Sequence, residues 1–240
     1  MNDMITQLMI TAIIALILSG CSEADTKVSG TTIVSENALN LASPDGKNAI
    51  QFLLAEGRPM YNVSRSGQVI IKPSKMGFML KKENRSFGRL ELVAADTSCT
   101  DETWRQIWGE KQEIRNYFHQ LSILLREKNN AQRNLKIEFR AYDDGIAFRY
   151  IYPQQGETDL VIMDELTEFN LDHDGQAWWV PAYQDNRYEY LTTKSDISSL
   201  DTVHTPLTIK SDGGLYLSIH EARLVDFASM TLWRILKGVI

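Results

Sequence analysis

The sequence predicts an all-β protein, a large β-sandwich with few short helices, and three observations carry that expectation. Short apolar runs alternate with polar residues at period two, the mark of half-buried strands. Turn signals separate the runs, among them Pro44-Asp45-Gly46, Ser66-Gly67, Asp144-Gly145, Asp174-Gly175 and Asp212-Gly213-Gly214. With 240 residues, 43% of them hydrophobic, the chain can bury one substantial core, whereas two large domains would be crowded.

Residues 1–20 read as an export signal. The apolar run 10–18 is too short to span a bilayer, and Leu18-Ser19-Gly20-Cys21 resembles a lipobox. That match implies cleavage before Cys21, a diacylglyceryl group on its sulfur, and anchorage in the periplasm or outer membrane. The amino-terminal segment departs from the pattern, since it lacks Lys and Arg and carries Asp3. Acylation of Cys21 would leave Cys99 as a lone thiol. Residues 21–36 are rich in Ser, Asp, Glu, Thr and Gly and read as a flexible tether. The main domain is expected over residues 37–232, with a divergent tail at 233–240.

Between residues 104 and 125, Trp104, Ile107, Trp108, Ile114, Phe118, Leu121 and Leu125 fall at mostly helical spacing, interrupted by Gly109. From 117 to 127 the alternation of Leu121, Ile123 and Leu125 fits a strand equally well, and a strand is expected there. Residues 134–150 read as a β-hairpin. Leu135, Ile137, Phe139 and Ala141 form one face, and a two-residue Asp144-Gly145 loop would set Ala141 opposite Phe148, Phe139 opposite Tyr150, and Arg140 opposite Arg149. Two arginines in that position need an acidic neighbour, for which Glu138 is nearest. A local ion-pair network is one reading of them, and a docking face for another domain the other.

Formal charge excludes one partner class. Against 31 acidic residues stand 25 Lys and Arg, a net charge of −6, with no basic stripe, so a nucleic-acid surface is not expected.

The hairpin elements Phe139-Arg140, Tyr142, Asp144-Gly145 and Phe148-Arg149-Tyr150 also carry a resemblance. Other blocks follow in order along the chain: Ser43-Pro44-Asp45-Gly46-Lys47, Ile114-Arg115-Asn116-Tyr117, Glu165-Leu166-Thr167-Glu168-Phe169, Ala177-Trp178-Trp179, Tyr188-Glu189, Thr205-Pro206-Leu207-Thr208, and residues 214–222. Together, over residues 39–232, they resemble the N-terminal domain of glycoside hydrolase family 97. The resemblance implies a supersandwich of the galactose-mutarotase-like kind that braces a catalytic barrel and lines its active site. Family members hydrolyse α-glucosides or α-galactosides, and the paired carboxylates belong to the barrel, so no catalytic residue is expected here. It also implies calcium in the full-length enzyme, with Glu189 matched to the one ligand this domain contributes. Calcium takes six to eight oxygens, so a single carboxylate would not hold it tightly.

Two further constellations invite a functional reading. Trp178, Trp179, Tyr183, Tyr188 and Tyr190 form an aromatic-rich stretch that could stack on sugars, although adjacent tryptophans on a strand face opposite ways and core packing competes. This is the basis of an alternative, a free-standing carbohydrate-binding lipoprotein. His220-Glu221 offers an acid and a base as in a mutarotase, yet strand neighbours diverge. Finally, the apolar end of the chain at 233–240, where the resemblance is lost, suggests a truncated or frameshifted product of a longer glycosidase gene.

Overall fold

The computed structural model describes residues 38–81, 85–128, 132–153, 161–185, 189–225, 227–235 and 240. The expected leader and tether, including Cys21, lie outside these residues. Strands β1 (Ala38–Ala42), β2 (Asn48–Ala55), β3 (Arg58–Arg65) and β4 (Gln68–Lys75) form an antiparallel meander. Short strands β5 (Phe78–Leu80) and β6 (Arg85–Ser86) lead to a second meander of β7 (Leu90–Arg105), β8 (Glu113–Glu127), β9 (Asn134–Ala141) and β10 (Ile146–Ile151). Strand β11 (Ile162–Glu165) returns to pair with β5. A last sheet runs β13 (Thr193–Asp196), β12 (Gly175–Pro181), β14 (Val203–Ser211), β15 (Tyr216–Ile219), and β16 (Thr231–Leu232) also pairs with β14. One 3₁₀ turn, Ile197–Ser199, is the only helical element among the described residues. The all-β sandwich read from the alternation is the fold observed.

The core lies where the two meanders face each other. Leu135, Ile137, Phe139 and Ala141 on β9 are all buried, as their spacing predicts. Phe139 meets Phe52 of β2 at a ring-centroid distance of 6.2 Å, Tyr61 of β3 at 6.5 Å and Phe148 of β10 at 6.1 Å. Inward residues of the last sheet, Ala177, Leu207 and Ile209, join the same apolar cluster. Gly175 admits close packing there, because a Cβ would stand 2.1 Å from the Lys210 carbonyl oxygen.

The hairpin corrects the expected register by two residues. Phe139 pairs with Phe148, Ala141 with Ile146, and Arg149 with Glu138 rather than with Arg140. Tyr142 and Gly145 exchange backbone hydrogen bonds of 2.8 and 3.3 Å, so the loop is Asp143-Asp144, and none of residues 143–145 takes a positive φ. Long-range ties hold the turn there. The Asp45 N–H donates to Asp143 Oδ1 at 2.8 Å, and Asn48 Nδ2 donates to the carbonyls of Tyr142 and Asp143 at 2.8 and 3.1 Å. A shift of two keeps every side chain on its face, which is why the core expectation survived the wrong pairing.

The arginines are satisfied locally. Arg149 Nη2 lies 2.6 Å and Lys136 Nζ 2.5 Å from the Glu138 carboxylate. Burial pushes that carboxyl up, but the hydrogen bonds and charges of Lys136 and Arg149 outweigh it and hold Glu138 below its ordinary range. Arg140 donates to Gln120 at 2.9 Å and stacks over Phe118 at 4.3 Å. The local network is therefore the observed alternative.

The strand expected at 117–127 is present, and it starts earlier, at Glu113. Helical spacing before it was misleading: β7 runs to Arg105, the chain reverses, and Ile107 and Trp108 project at 89% and 84% exposure. Strand β9 pairs with β8 only from His119 onward, so β7 and β8 continue beyond the sheet as a two-stranded ribbon. At the other end of the chain, Ile240 exchanges backbone hydrogen bonds of 2.7 and 3.2 Å with Phe169 and is buried.

Candidate functional site

A cavity of about 940 Å³ opens where β5 and the ends of β3 and β4 meet residues 162–169 and 227–235. Buried Phe78, Leu90 and Leu135 line its floor, while Met163, Phe227 and Trp233 on its walls are between 46% and 57% exposed. Half-exposed apolar side chains concentrated around one opening are the kind of surface that contact sites use.

One polar thread enters this apolar setting. The Gly77 N–H donates to Tyr150 Oη at 3.1 Å, which directs the Tyr150 hydroxyl to Thr167 Oγ1 at 2.7 Å, and Thr167 donates to Glu165 Oε1 at 2.7 Å. Three donors in series thus end on one carboxylate at the cavity wall. Burial pushes the Tyr150 phenol well above its ordinary value, and its ring is fixed edge-on against Phe78 at 4.5 Å. Burial likewise pushes the Glu165 carboxyl up; the Thr167 hydrogen bond partly offsets this, and the charges of Glu221 and Asp164 add to it. Nearby, Glu168 receives Lys75 Nζ at 2.7 Å and the Lys75 N–H at 3.2 Å.

The raised Glu165 value has a definite sign. Because the folded state holds this proton more tightly than the unfolded chain, Glu165 favours folding below its ordinary value of 4.5 and loses that contribution as pH rises through the folded value. Replacing Glu165 with Gln is therefore expected to raise the melting temperature at neutral pH. The gain should shrink toward zero as thermal unfolding is repeated down to about pH 4, where both side chains are neutral. A pH-independent difference would show that packing, not ionisation, controls the site.

The residues singled out from the sequence fall in several places. Trp178 and Trp179 point to opposite faces of β12. Trp179 packs on the core and donates from Nε1 to Ser195 Oγ at 3.0 Å. Trp178 faces outward, stacked on Tyr216 at 6.4 Å and 27°. Tyr190 donates to the Gln184 carbonyl at 3.1 Å, and Tyr188 lies outside the described residues, so no single platform gathers Trp178, Trp179 and Tyr190. Glu189 is exposed between β12 and β13, and among the described residues no group of three or more His, Cys, Asp and Glu could hold a metal ion. One exposed carboxylate fits calcium only as a contributor to a shell completed from elsewhere.

His220 and Glu221 lie just past the end of β15, outside any strand, so the alternation expected to separate them does not apply, and their side chains are held by different partners. His220 Nδ1 is 3.1 Å from the Glu221 carbonyl, while the Glu221 carboxylate receives the Met230 N–H at 2.7 Å. They form no converging acid and base. Cys99 lies on β7 opposite His119 of β8, and the expectation that acylation would leave it a lone thiol turns on Cys21, outside the described residues. The Glu165–Thr167–Tyr150 thread and the part played by Tyr216 were missed, although Glu165, Thr167 and Tyr150 all sat in the blocks that carried the resemblance.

Comparison with known proteins completes the description. Residues 41–239 match the family described as glycosyl-hydrolase 97 N-terminal. The chain is 23% identical over 214 residues to a retaining alpha-galactosidase of Bacteroides thetaiotaomicron, covering 84% of this chain and 31% of that protein. It is 26% identical over 179 residues to a probable retaining alpha-galactosidase of Streptomyces bingchenggensis, covering 75% and 27%. Among solved structures, a glycoside hydrolase family 97 enzyme of Pseudoalteromonas sp. strain K8, determined with panose and with acarbose, superposes with a TM-score of 0.78 at 32% identity over 83% of this chain and 31% of that one. A beta-arabinopyranosidase at 18% identity, with a TM-score of 0.73, shares the fold. The chain thus spans less than a third of the length of these curated relatives, and the part it spans is their N-terminal sandwich: it belongs to glycoside hydrolase family 97.

Proposed function

We propose that this chain is the non-catalytic N-terminal sandwich of a family 97 hydrolase of α-galactosides or α-glucosides, and that it braces a catalytic barrel and shapes one wall of its active site. The observation that carries this is the family match over residues 41–239 together with coverage of only 31% of the galactosidase relative. The half-exposed apolar residues around the cavity supply a contact surface of suitable chemistry for a barrel. Glu189, exposed on its loop, is the residue we assign to a calcium shell shared with that barrel. When bound, calcium would polarise substrate oxygens; this chain's own part is to present one carboxylate.

The test is to assay the purified chain on p-nitrophenyl α-galactoside and α-glucoside, alone and mixed with the remainder of a galactosidase relative lacking its own N-terminal domain. The chain alone should release no nitrophenol, and the mixture should be more active than the remainder alone. Hydrolysis by the chain alone overturns the reading. A second reading, a free-standing carbohydrate-binding lipoprotein, is favoured by the outward Trp178.

Export and lipid anchorage at Cys21 form part of the proposal, resting on the lipobox. Cys21→Ala should move the protein from the membrane to the soluble fraction of an expressing bacterium, and an unchanged distribution would remove the anchor from the account.

A further inference from the structure

The outward face of the last sheet carries two cross-strand rows. One consists of Lys194, Trp178, Thr208 and Ser218, and the next of Asp196, Gln176, Lys210 and Tyr216. Trp178 and Tyr216 sit diagonally across these rows with rings 27° from parallel. Lys194 Nζ lies 5.2 Å over the Trp178 ring and Lys210 Nζ 5.3 Å over the Tyr216 ring. Gln176 donates to Asp196. Tyr216 is 61% exposed.

We infer that this face is a glycan-binding site for a neutral α-linked oligosaccharide, built from residues that do not line the cavity. Each pyranose presents an apolar C–H face and a girdle of hydroxyls. The strip matches both, with two near-parallel aromatic rings bordered by ammonium, amide and hydroxyl groups on one rigid sheet. Side-chain direction alone singles out these residues, because alternation places Trp178 outward and Trp179 inward. Both ammonium groups lie over the aromatic rings and Asp196 offsets one of them, while the chain's net charge of −6 disfavours a polyanion. The α-linkage rests on the function proposed above and on the panose and acarbose complexes of the Pseudoalteromonas relative.

Affinity electrophoresis of the purified chain through gels containing soluble α-glucan or α-galactan, with titration calorimetry against maltohexaose, tests the site. The chain should be retarded by at least one of the two polymers. Tyr216→Ala, whose side chain is largely exposed, should weaken binding about tenfold with an unchanged melting temperature, and Lys194→Ala should weaken it less. Trp178→Phe should retain part of the affinity. Activity in the mixture with the catalytic remainder should be the same for Tyr216→Ala and the unmodified chain, so that loss of this site is distinguishable from loss of the barrel partnership. Absence of retardation, equal binding by Tyr216→Ala, or preference for oligogalacturonate over neutral sugars would each overturn the inference.

Discussion

Replacing Phe139 with alanine is expected to destabilise the domain by about 3–5 kcal/mol, the range for removing a large aromatic from a packed core. Phe139 is fully buried, and its neighbours Phe52, Tyr61 and Phe148 come from β2, β3 and β10. A void at that point is walled by rings anchored in two different sheets, so no single strand can move to fill it. Since domains are stable by roughly 5–15 kcal/mol, urea denaturation should show a large fall in midpoint. Phe139→Leu, which keeps most of the volume, should fall much less. A loss below about 1 kcal/mol for the alanine variant would mean that the two meanders do not share this core.

The second large effect is expected at Arg133. Its guanidinium lies against the Glu127 carboxylate at 2.7 and 3.0 Å, with side-chain exposures of 8% and 0%. The Gly88 N–H donates to Glu127 as well, at 2.6 Å, and Arg133 stacks over Phe87 at 5.3 Å. Arg133→Met removes the cation and keeps most of the stem, leaving a charge in the interior; breaking such a pair typically costs about 3–5 kcal/mol. Glu127→Leu combined with Arg133→Met removes both charges, and it should recover much of the loss, short of the bond from Gly88. If the double variant were no more stable than the single one, packing around Phe87 rather than an unpaired carboxylate would explain the defect.

What could be read from the sequence depended on the distance over which the deciding forces act. Burial of Leu135, Ile137 and Phe139 follows from strand periodicity, a property of adjacent residues, and was legible. Placement of the turn at Asp143-Asp144 was decided by Asp45 and Asn48, more than 90 positions away, and local turn preference for Asp144-Gly145 lost to them. Trp104, Ile107 and Trp108 show the reverse failure: regular spacing without a partner surface to bury it. At the cavity, Glu165 and Thr167 are two positions apart, yet their thread becomes visible only when β10 brings Tyr150 to them. The opposed directions of Trp178 and Trp179 were legible, but Tyr216 is 38 positions beyond Trp178 and enters only through the pairing of β12, β14 and β15.

The ribbon formed by β7 and the first part of β8, before His119, divides one pair of strands between two units of cooperativity. From His119 to Arg126 β8 is clamped by β9, and its amides there are expected to exchange only when the sandwich itself opens. At residues 113–118 its only strand partner is β7, and an isolated two-stranded ribbon is marginally stable in water. The bidentate Arg115–Asp101 pair ties β8 to β7 within the ribbon and not to the sandwich. The distal turns therefore form a zone of local melting grafted onto a rigid body, and the aromatic residues at its end can be repositioned without disturbing any contact of the core.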